Sequence, residues 1–92
     1  MADERTGRLR VSVALGFAET EYYVMVPGGP AAYVDRQLVR VDHQPQGDDL
    51  VNGDVRVYVL ERNDSDALIE LPGEPVIGGL RAHVDPALLT PP

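Results

Sequence analysis

The chain has 92 residues, a formal net charge of −7 and no cysteine. That length suits one small domain with a thin core, and the missing thiols exclude disulfides, thiolate metal sites and cysteine nucleophiles. The acidic balance argues against nucleic-acid backbones and anionic membrane surfaces as partners.

With 43% hydrophobic and 25% charged residues, the composition is that of a globular chain. All eight cations are arginines, and they are scattered from Arg5 to Arg81. A secretory leader and an apolar run of about 18 residues are both lacking, so a soluble, cytoplasmic protein is expected.

Residues 1–7 are polar and read as a flexible N-terminal arm. Leu9, Val11, Val13 and Leu15 then alternate with Arg8, Arg10, Ser12 and Ala14, the period of a strand with one buried face. Gly16 interrupts that pattern. Residues 22–26 are β-branched and aromatic, which predicts a second strand. Pro27-Gly28-Gly29-Pro30 ends it, and Asp35 is placed to cap a single helical or 3₁₀ turn over residues 36–39.

Residues 42–53 read as a polar, mobile connector containing Pro45 and Gly47. Alternation resumes at Val55, Val57 and Val59, with a hairpin tip at Asn63-Asp64-Ser65-Asp66 and a returning strand through Leu68, Ile69 and Leu71. Pro72-Gly73-Glu74-Pro75 ends that strand. Residues 76–84 predict a further strand kinked at Gly78-Gly79, and Asp85-Pro86 begins a closing one-turn segment. Prolines and glycines leave no window for a long helix.

The two halves resemble each other. Arg10-Val11-Ser12-Val13 recurs 46 residues later (10 to 56) as Arg56-Val57-Tyr58-Val59. Pro27-Gly28-Gly29-Pro30 recurs 45 residues later (27 to 72) as Pro72-Gly73-Glu74-Pro75. Val34-Asp35 with Leu38-Val39 recurs 50 residues later (34 to 84) as Val84-Asp85 with Leu88-Leu89, which fits an insertion of residues 76–80 in the second copy. Three blocks in the same order predict a duplicated unit. A unit of three short strands cannot bury its apolar face alone. The expectation is therefore one all-β domain over residues 8–90, its repeat halves at about 8–41 and 54–90. The halves would form a small six-strand barrel or sandwich from two similar three-strand meanders, with pseudo-twofold symmetry and one-turn helical pieces only.

The second half runs Asp54-Val55-Arg56-Val57, then Ala67-Leu68-Ile69-Glu70-Leu71-Pro72, then Gly79-Leu80-Arg81-Ala82-His83-Val84-Asp85-Pro86-Ala87-Leu88-Leu89. Two hairpinned strands, a glycine kink and a valine before a one-turn segment resemble the close of an SH3-like small β-barrel. The resemblance spans residues 54–89 and implies a fold rather than a function. The chain departs from peptide-binding SH3 domains in having no tryptophan, one phenylalanine and four tyrosines, so their aromatic groove is not evident. Duplicated cradle-type barrels are the other topology that fits.

Chemistry-bearing residues are few. His43 and His83 each have a carboxylate nearby, and His83 with Asp85 would share a strand face. His83 aligns with Tyr33 of the other half, which marks it as a generic rim position. Asp64 and Asp66 alternate as calcium ligands do but lack the glycine and distal glutamate of an EF-hand; turn chemistry accounts for them. Asp48, Asp49 and Asp54 read as a solvated acidic loop. Ser12 and Ser65 lie in no nucleophile context. Catalysis, a resident metal and a cofactor are therefore not expected, with His83, Asp85, Asp64 and Asp66 the only metal candidates.

Tyr22, Tyr23 and Tyr33, with Phe17 and Met25, form the aromatic-rich stretch. Neighbours on a strand face opposite sides, so one of Tyr22 and Tyr23 belongs in the core and the other outside, where it either packs on a neighbour across the sheet face or anchors an interface. The expected function is a non-enzymatic protein-interaction module or accessory subunit, binding a protein partner or a second copy of itself. The alternative is a barrel that binds a small molecule or divalent ion.

Overall fold

A computed structural model describes residues 5–92, so the first four residues of the expected arm lie outside the described residues. Strand β1 (Thr6–Leu15) begins within that arm and pairs antiparallel with β2 (Glu21–Met25), which pairs with β3 (Ala31–Asp35). Arg36–Leu38 forms a 3₁₀ turn capped by the Asp35 carboxylate, which accepts the Gln37 N–H at 2.9 Å. Strand β4 (Val39–Val41) follows.

The second half repeats this order. Strand β5 (Val51–Arg62) pairs with β6 (Ala67–Glu70), and β6 pairs with β8 (Arg81–Val84). Pro86–Leu88 forms the second 3₁₀ turn, capped by Asp85, and β9 (Leu89–Thr90) closes the chain. Proline at the first position of this turn gives up no needed donor. Over the described residues the fold is all-β, a curled antiparallel sheet in half-barrel form with one-turn helical pieces at Arg36–Leu38 and Pro86–Leu88.

Among the described residues nine strands appear where six were expected, because short β4 and β9 also pair and the segment containing the insertion forms β7 (Glu74–Ile77). The halves are joined crosswise: β4 of the first pairs with β5 of the second, and β9 of the second pairs with β1 of the first. At the centre, Leu9 on β1 faces Val55 on β5. Leu9 also faces Leu89, and Val55 also faces Val39. Sequence equivalence maps each member of this buried quartet onto another, so a pseudo-twofold axis passes between Leu9 and Val55.

The hairpins match too. Val26 N–H donates to the Pro30 carbonyl at 2.9 Å, and Leu71 N–H donates to the Leu80 carbonyl at 2.8 Å. The extra residues between Leu71 and Leu80 carry β7, which crosses to pair with the β3 edge of the other half. The insertion thus breaks the symmetry and covers one sheet edge, while β8 ends the sheet at the other side.

The core follows the alternation: Leu9, Val11 and Val13 of β1 pack with Val55 and Val57 of β5, Val24, Val34 and Ile69. Each such side chain contributes about 1.5–3 kcal/mol by leaving water. The connector is tied down, for Pro45 is fully buried and Gln44 accepts a hydrogen bond from the Tyr22 hydroxyl at 3.3 Å. Among the described residues no helix is long and apolar enough to cross a membrane.

Candidate functional site

Because side chains directly opposite on paired strands share a face, the sheet register defines two rows on the outer surface. One runs Asn52, Ser12, Met25, Ala31 and Ile77 across β5, β1, β2, β3 and β7. The next runs Ala14, Tyr23, Tyr33 and Glu74. The Tyr23 and Tyr33 rings lie 5.4 Å apart at a tilt of 55°, a favourable aromatic arrangement. Leu50 stands just before β5 and lines a shallow groove with Ser12, Tyr23, Met25, Ala31 and Ile77.

This band is apolar and open to water. Leu50 is 61% and Ile77 60% exposed. Ala31, by contrast, is buried under its neighbours despite facing outward. Phe17, in the β1–β2 connection, is 94% exposed and supplies another unburied aromatic. Leu50 and Ile77, exposed beside half-buried Tyr23 and Met25, form a contiguous apolar groove rather than the single scattered residues common on protein surfaces.

Carboxylates border the band. Glu21 and Asp35 are directly opposite each other on β2 and β3, a like-charge pairing that is unfavourable, and Glu74 faces Tyr33 on the neighbouring strands. None of the three has an ion-pair partner among the described residues.

Four of the eight arginines gather across β1, β4 and β5. Arg8 faces Arg56 across β1 and β5, and Asp54 lies between Arg10 and Arg40. Asp54 contacts Arg8 at 3.2 Å and Arg10 at 3.7 Å, and Arg10 donates to Asp42 at 3.0 Å. The Arg8 contact is out of hydrogen-bond alignment and leaves both atoms buried. Burial lowers the Arg8 pKa below its ordinary value, Asp54 opposes this, and Arg40 and Arg56 reinforce it. The Asp42 hydrogen bond raises that of Arg10. Asp54, expected in a solvated acidic loop, is thus a strand residue held among arginines.

Of the interface candidates, Tyr23, Tyr33 and Met25 share the outer band. Tyr22 is in the core, its ring 4.3 Å beneath the Arg36 guanidinium. Of the metal candidates, His83 and Asp66 meet, with Nδ1 2.7 Å from the carboxylate. Asp85 is occupied as a turn cap. Asp64 sits in a tip organised by Asn63, whose side chain accepts the Ser65 and Asp66 N–H groups. Among the described residues no three His, Asp or Glu side chains are grouped to hold a metal ion.

Leu50 and Ile77 did not stand out in the sequence as surface residues. Leu50 carried one signal: it directly precedes Val51, out of phase with the inward valines of β5. No known family model, curated protein or solved structure matches the chain.

Proposed function

We propose that the protein is a non-enzymatic interaction module whose outer β2–β3–β7 face, with Leu50, is covered by another protein. The observation that carries this reading is the apolar band itself: Met25, Tyr23, Leu50 and Ile77 line one groove with Leu50 and Ile77 largely in water. Aromatic and methionine side chains at the centre of a face are the composition of an interface core. Tyr23, Met25 and Ile77 are borne on paired strands, so this part of the band is preorganised and loses little entropy on binding.

The likeness of residues 54–89 to the close of an SH3-like barrel belongs to this reading as fold analogy. It is supported by the order of β5, β6, β8, the second 3₁₀ turn and β9, and it does not name a ligand.

The test is affinity capture with the intact chain and its Ile77→Glu variant, checked for equal folding by circular dichroism. Ile77 is exposed, so the substitution should leave the fold intact while removing the captured protein. Identical capture by both chains would refute the reading.

A further inference from the structure

We infer that the occupant of the outer band is a segment of a different protein that inserts an aliphatic or aromatic side chain flanked by lysine or arginine. The inference rests on the interaction-module reading and adds the chemistry of the partner.

Three features specify that chemistry. The groove between Met25, Leu50 and Ile77 is floored by buried Ala31, so it accepts a side chain of apolar character. Glu21 and Asp35 face each other across β2 and β3, and Glu74 continues the carboxylates onto β7. A cation placed between Glu21 and Asp35 would turn a repulsion into two attractions, whereas an acidic or neutral segment would leave it in place.

Among the described residues no arginine forms an ion pair with Glu21, Asp35 or Glu74. Arg8 and Arg10 are engaged with Asp54 and Asp42, and Arg36 is stacked over Tyr22 with its Nε donating to the Glu21 carbonyl oxygen. The net charge of −7 acts in the same direction at long range, steering a basic segment inward and opposing a second copy of this chain.

The experiment pans a random-peptide display library on the immobilised full chain, then titrates a selected peptide against variants. Selected peptides should combine an apolar residue with flanking lysine or arginine. Binding should be lost in Ile77→Glu and weakened about tenfold in the double variant Glu21→Gln, Asp35→Asn. Asparagine at position 35 still caps the 3₁₀ turn, so folding is preserved. Selected peptides that lack cations, or an affinity unchanged in the double variant, would overturn the basic partner and leave the band as an interface. Peptides that bind Ile77→Glu as well as the native chain would overturn both readings. A chain found dimeric by light scattering, and monomeric as Ile77→Glu, would make the occupant a second copy and overturn the basic partner.

Discussion

Leu9 and Val55 face each other at the centre of the β1–β5 ladder, both fully buried, and each is the sequence equivalent of the other. Their second neighbours, Leu89 and Val39, are equivalent in turn. The two halves therefore share one core at their junction, and neither closes without the strand lent by the other. Truncating Leu9 to alanine should cost about 3 kcal/mol, and Val55→Ala about 2 kcal/mol. Urea unfolding should show one cooperative transition for both variants. Two separated transitions would mean that the halves are independent.

The insertion that carries β7 is an addition to a fold that closes without it. Replacing residues 72–79 with the Pro-Gly-Gly of the first half should restore a turn like that between Val26 and Pro30. Circular dichroism should still report a folded β protein, at reduced stability because β3 becomes an edge. An unfolded product would show that β7 is required by the core.

Gly28 and Gly73 are sequence equivalents in different connections, the β2–β3 turn and the step from β6 into β7, both at positive φ, 69° and 99°. Alanine at Gly28 meets open space, so its cost is the backbone conformation alone, about 1–2 kcal/mol. A Cβ at Gly73 would run into the Tyr33 carbonyl oxygen of β3, so Gly73→Ala should be clearly more destabilising. Thermal unfolding of the pair compares them, and equal losses would contradict the close approach.

The strands that bury one face are legible in the sequence because burial imposes a period of two: Leu9, Val11 and Val13, and again Val55 and Val57, mark β1 and β5. The repeat is legible for the same reason, since its strongest block lies on those two strands. Strand β7 is not. All four of its residues are exposed, so no period marks it, and Pro75 within it argues against a strand until its position at the sheet edge is known. The outer band is half legible. Alternation puts either Tyr22 or Tyr23 outside, but Ile77 and Leu50 join Tyr23 only through pairings between distant segments.

Site-specific photo-crosslinking tests the interface most directly. A photoreactive side chain replacing Ile77 should form a discrete adduct with a protein in the native cell, whereas one replacing Arg62, at the far end of β5, should not. The Ile77 adduct should disappear when Met25→Glu is added. Equal labelling from both positions, or an Ile77 adduct indifferent to Met25→Glu, would contradict a docking surface on the outer face of β2, β3 and β7.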